Sequence, residues 1–151
     1  MAACRLLRRL LLLLLLLAVL QAALNVTQLP ALSALWFDAS GDALVYVPSA
    51  ELMWLHAGLA AALTGLFWLV PLRLAGGEPD SAEHVTALRH AAWLGIVTLL
   101  LLASLAQLVY DANRANIPRL AVGKAGALLA SYVAFLALVV WLRRRSGPSA
   151  R

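Results

Sequence analysis

Three histidines, one cysteine and seven acidic residues are the groups through which this chain could do chemistry. Their spacing builds none of the common centres. Two histidines at one level of a helical bundle can hold a haem iron from both sides. His56 and His90 sit towards opposite ends of their apolar stretches, so helix rise separates them by about 20 Å and one iron cannot reach both. His84 and His90 are six apart, about 240° around a helix, and share no face. There is no H-E-x-x-H, no C-x-x-C and no carboxylate pair inside an apolar stretch. Asp38-x-Ser40-Gly41-Asp42 lacks the ligand spacing and closing glutamate of a calcium loop. Glu51 and His56 bracket a candidate proton or ion entry point, because ionisable groups at membrane depth are functional candidates. The expectation is a protein that is not an enzyme, with no cofactor and no metal.

The other candidates are single groups. Gln107 is the one amide deep in the last three of the chain's four long apolar stretches and is expected to bond across helices. Tyr132 lies mid-stretch, where its hydroxyl needs a partner on another helix, and His56 is a third polar contact of this kind. Asn25-Val26-Thr27 is a sequon for N-glycosylation. Cys4, beside Arg5, Arg8 and Arg9, is a candidate for palmitoylation. With a single cysteine, an intrachain disulfide is impossible.

These residues are carried by four long apolar stretches, Leu10–Leu29, Leu52–Pro71, Ala91–Tyr110 and Ala125–Leu142. About 20 helical residues cover a hydrocarbon core about 30 Å thick. Hydrophobic residues make up 64% of the 151 and charged ones only 13%, against about 25% charged in a soluble domain. The reading is an all-α membrane protein with four transmembrane helices, or three if the first is a cleaved signal, and a short extended outer segment between the first and second. The expected order is a cytoplasmic N-terminus (1–9), anchor or signal (10–29), outer loop (30–51), helix (52–72), cytoplasmic loop (73–90), helix (91–110), outer loop (111–121), helix (122–142) and basic tail (143–151).

Arginine and lysine in short loops stay cytoplasmic. With both termini inside, Arg5, Arg8, Arg9, Arg73, Arg89, Arg143, Arg144, Arg145 and Arg151 face inward, and only Arg114, Arg119 and Lys124 face outward. The net charge of +5 then follows from topology, and nucleic acid is not expected as a partner. The leucine run after a basic start also has the form of a secretory signal, but large Leu20 stands two before Ala22, where a cut after Ala22 wants a small residue. A retained anchor is the favoured reading. The compartment is the endoplasmic reticulum or plasma membrane.

Leu35–Phe37 and Ala43–Val47 read as extended pieces around an Asp-Ser-Gly-Asp turn, either a lid over the helices or a partner-binding patch. Gly58, Ala62 and Gly65, with Gly126, Ala130 and Ala134, form stripes of small residues that let helices approach closely. They are expected to pack the bundle or to pair with other membrane proteins; whether the chain pairs with itself is left open. The expected role is a non-enzymatic accessory, scaffolding or trafficking partner of other membrane proteins. The alternative is a channel or transporter subunit with a polar path of Thr64, Thr98, Ser104 and Gln107, and the third is a haem- or lipid-handling enzyme subunit centred on His56.

Overall fold

The computed structural model describes residues 2–74, 82–115 and 117–145, with side chains over 5–69, 85–115 and 117–141. The palmitoylation candidate Cys4 and the side chain of His84 lie outside these side chains, and the link 75–81 and tail 146–151 lie outside the described residues.

The described residues form four helices and one hairpin: α1 (Ala2–Val26), β1 (Leu32–Phe37), β2 (Ala43–Pro48), α2 (Ser49–Leu74), α3 (Ala82–Asn113) and α4 (Val122–Arg145). All four helices are long and apolar enough to cross a membrane. Their apolar runs set the helices, but the ends differ from expectation. α1 starts eight residues earlier than Leu10 and stops at Val26, and α3 extends beyond Ala91–Tyr110 at both ends. Helical hydrogen bonding continues as long as the backbone has no better partner, whatever the polarity of the side chains, so polar flanks join the helix.

α1, α2 and α3 pack against one another, whereas α4 packs on α3 alone. The core is Leu7, Leu11 and Ala18 from α1, Ala60 from α2, and Ala92, Ile96 and Leu99 from α3. On α2 the buried row is Leu52, His56, Ala60 and Thr64, four apart and therefore on one face. Of the two uses expected of the small-residue stripes, packing this bundle is not the one seen within the chain. Gly58 and Ala62 lie on the opposite, exposed face of α2, and Gly126, Ala130 and Ala134 are exposed on α4. A Cβ added at Gly58, Gly65 or Gly126 would meet nothing within 4 Å. Ala18, Ala60 and Ala92 take that packing role instead, because they fall in register with the buried rows.

Among the described residues, the one glycine that permits close helix approach is Gly95. A Cβ there would stand 2.8 Å from Phe67 Cβ and 3.0 Å from Leu11 Cδ2, so α1, α2 and α3 meet at this point. Neither Phe67 Cβ nor the helix backbone beneath it can retreat cheaply. Gly95→Ala is expected to destabilise the fold by about 1–3 kcal/mol through overpacking, read as an earlier unfolding midpoint in detergent. Gly58→Ala, with open space before it, should leave the midpoint unchanged or raise it.

β1 and β2 pair antiparallel from Leu32↔Pro48 to Phe37↔Ala43, with irregular register beyond Ala34. The turn is closed by the Asp38 carboxylate, which accepts from Ser40 Oγ at 2.6 Å, Ser40 N at 2.8 Å and Asp42 N at 2.9 Å. Gly41 takes φ 90°, and a Cβ there would collide with Leu120 O at 2.4 Å, so only glycine fits both the turn and its neighbour. Across that contact Leu120 N donates to Gly41 O at 2.8 Å, and Arg119 pairs with Asp42 at 3.2 Å.

The bonds from Ser40, and then from Asp42, hold the Asp38 carboxyl below its ordinary value of 3.8. A carboxyl favoured in its ionised form when folded stabilises the turn above the ordinary carboxylate range and loses that contribution as pH falls through the folded value. Protection of the Asp42 amide, its exchange rate relative to the unfolded-chain rate at the same pH, should therefore hold above the ordinary carboxylate range and fall only below 3.8; an Asp38→Ala chain should show no such step.

Candidate functional site

Two polar clusters are built into the half of the bundle beneath the hairpin. The first is a chain of bonds between α1 and α3. Gln21 Nε2 donates to Gln107 Oε1 at 2.9 Å and to Ala103 O at 3.1 Å. Gln107 Nε2 in turn donates to Asp111 at 2.8 Å. Arg114 bonds Asp111 at 3.3 Å and reaches back to Asn25 Oδ1, while Asn25 Nδ2 donates to Gln21 O at 2.7 Å. The circuit closes on itself, so each member helps hold the next. Gln107 thus bonds across helices, to a partner on α1. Asn25 is 6% exposed, with the nitrogen that would carry a glycan already engaged. In the folded chain the sequon is therefore closed.

The second cluster is smaller and more deeply set. His56 on α2 and Tyr110 on α3 are 6% and 1% exposed. His56 Nδ1 and the Tyr110 hydroxyl are 2.9 Å apart, with the rings tilted at 48°. The buried faces of α2 and α3 turn them towards each other, beside β1. Both rings line a cleft of about 400 Å³, whose other walls are apolar residues of β1, α2 and α3. Nε2 of His56 is buried and has no hydrogen-bond partner among the described residues.

The remaining candidates fall elsewhere. Tyr132 reaches Thr98 Oγ1 at 2.7 Å and joins α4 to α3. Thr98 also donates to Leu94 O, and Thr64 to Ala60 O. Ser104 is exposed and bonds Leu100 O. Gln107 faces α1 whereas Thr98, nine residues earlier and half a turn round, faces α4, so these groups do not line one path. Glu51 is exposed at the start of α2, on a different face from buried His56. His90 bonds Thr86 O at 2.8 Å and is not brought near His56. Among the described residues no three His, Cys, Asp or Glu side chains gather as a metal site.

Asn113 was not singled out by sequence and carries the hairpin. Its amide Oδ1 accepts from Ala34 N at 2.5 Å, and Nδ2 donates to Ala34 O and Val109 O, both at 2.9 Å. The side chain thus pairs with β1 as a neighbouring strand would. Its one legible signal was an asparagine at a helix C-terminus, a common and unspecific one.

The chain matches no family model, no curated protein and no solved structure.

Proposed function

We propose that this chain is a four-span membrane protein with both termini cytoplasmic, which does no chemistry of its own and serves as an accessory or scaffolding subunit for other membrane proteins. One observation carries the reading. The hairpin is held rigidly by Asn113 and by the Gly41–Leu120 contact, yet it turns large apolar side chains outward: Leu32, Trp36, Leu44, Val45 and Tyr46 are all exposed, Trp36 by 65%. A pre-ordered patch with Trp and Tyr loses little freedom on binding, and those residues dominate interface energetics. The hairpin is therefore both lid and patch: Ser33 and Ala34 are buried beneath it while the other face is open.

Topology supports the same reading. The hairpin and the link before α4 touch, as two loops on one side of a membrane should, and that side carries the fewer basic residues. α1 contributes Leu7, Leu11 and Ala18 to the core, which fits a retained anchor better than a cleaved signal.

The test places a photoreactive amino acid at Trp36 or Tyr46 in the full chain in its native membrane. One recurrent membrane-protein adduct, lost with Leu44→Asp, is the expected result. Adducts to lipid alone would overturn the accessory reading. A chain found to start near Ala23 would overturn the four-span form.

A further inference from the structure

The first turns of α1 carry charge that the rest of the fold leaves unanswered. Arg5, Arg8 and Arg9 stand at i, i+3 and i+4, so they share one side of the helix. Arg8 is half-buried, and its guanidinium Cζ lies 5.2 Å from the centre of the Trp68 ring of α2. Its Nη2 is enclosed and has no hydrogen-bond partner among the described residues. A ring face attracts a cation but does not neutralise it, and a charge held away from water needs a counter-charge. The described side chains offer none at this end. Asp38 and Asp42 lie in the hairpin turn, Glu51 in the first turn of α2 and Asp111 in the last turn of α3. Arg8 meets the C-terminal half of α2, so these carboxylates belong to the opposite end of the bundle. Arg5 and Arg9 are exposed, and neither pairs with a carboxylate among the described residues.

The surface above these arginines is open hydrocarbon. Leu12 and Leu16 follow Arg5 and Arg9 by seven residues each and are 48% and 63% exposed. Seven residues are about two turns, or roughly 10 Å along the helix, and return to the same face. The face therefore presents cations first and aliphatic surface next, which is the order of an amphiphile with an anionic head. A free anion would use the arginines alone and leave the leucines idle. A zwitterionic headgroup would bring its own ammonium against the guanidinium groups, so a net negative headgroup is the better match.

We propose that this face of α1 is a binding site for an anionic phospholipid, with its phosphate on Arg5 and Arg9 and an acyl chain along Leu12 and Leu16. Arg8, seated on Trp68, adds its charge from beneath; because its Nη2 is enclosed, the contacts to the headgroup come from the two exposed arginines. This rests on the reading of α1 as a retained membrane-crossing helix.

The test uses the full chain reconstituted in phosphatidylcholine vesicles that contain a phosphatidylglycerol with a photoactivatable acyl chain, beside vesicles that contain the matching photoactivatable phosphatidylcholine. Adducts from the anionic probe are expected on residues 12–16 and should be competed away by unlabelled phosphatidylglycerol. Labelling should fall about fivefold in Arg5→Gln and again in Arg9→Gln, and should stay unchanged in Lys124→Gln, at the base of α4. Arg8→Lys keeps the charge but loses the flat guanidinium on Trp68, and should lower labelling as well. Labelling indifferent to Arg8→Lys would reduce the site to diffuse charge and overturn it. Equal labelling by the two probes, or labelling indifferent to Arg5→Gln and Arg9→Gln, would overturn it too. Displacement of the probe by inorganic phosphate at matched ionic strength would assign the arginines to a free anion, against the lipid site. Intact mass separates the two readings. A chain that keeps its N-terminus yet shows no preference for the anionic probe loses only the lipid site; a chain that starts near Ala23 loses the retained anchor and the site with it.

Discussion

Asn113→Ala should release the hairpin from the bundle. The substitution leaves both backbone groups of Ala34 without their partner in a place that is 2% exposed at residue 113. An unpaired buried donor or acceptor costs about 1–3 kcal/mol, so the two together bring the loss to about 2–5 kcal/mol, a large effect for one residue. The local readout is sharper than the global one. The Ala34 amide, protected in the parent chain, should exchange orders of magnitude faster in the variant, while amides in the middle of α2 and α3 keep their rates. Asn113→Asp retains an acceptor for Ala34 N but cannot donate when ionised, and should fall between the two. An Ala34 amide that stays protected in the alanine variant would mean that β2 alone holds β1.

The second large effect concerns α1. A chain beginning at Leu24 lacks Gln21 and the core residues Leu7, Leu11 and Ala18. What remains of the core is Ala60, Ala92, Ile96 and Leu99, without α1 to cover them. In lipid the hydrophobic effect does not drive helices together, so packing and interhelical hydrogen bonds must do so. The share of both that α1 supplies is removed together here. The shortened chain should lose its cooperative thermal transition in detergent, whereas Gln21→Leu, which opens only the polar circuit, should cost about 0.6–2 kcal/mol. A sharp transition in the shortened chain would show that α2, α3 and α4 form a bundle without the anchor.

The contrast between these two experiments marks what a linear pattern can carry. The four helices were legible because a run of about 20 apolar residues has one stable backbone solution in a medium without water. The hairpin was legible because Asp38, Ser40, Gly41 and Asp42 encode a turn by local chemistry. Gln107 and Tyr132 were legible as groups in need of a partner, but nothing near them in sequence named Gln21 or Thr98. His56 and Tyr110 are 54 positions apart, and Asn113 and Ala34 79 apart; no local period records such pairings. The small-residue stripes do not pack this bundle for a related reason. Four-residue spacing puts Gly58 and Ala62 on one face, but spacing alone does not say whether that face meets a neighbour. The buried row Leu52, His56, Ala60 and Thr64 has the same spacing and different chemistry, and it is the one that packs.

Among the described residues, α4 meets the rest of the fold at its base and along α3. It packs on α3 alone, is joined there by Tyr132 to Thr98, and begins two residues after Leu120, whose amide is bonded to the hairpin tip at Gly41. The helix is therefore tied at two levels, its base to the turn and its middle to α3. A sideways load on its middle passes to α3 through Tyr132, whereas one on its base passes to the hairpin through the Leu120–Gly41 contact. Because glycine at 41 leaves no side chain to cushion that contact, the tip of the hairpin must follow the base of α4 or let go of it.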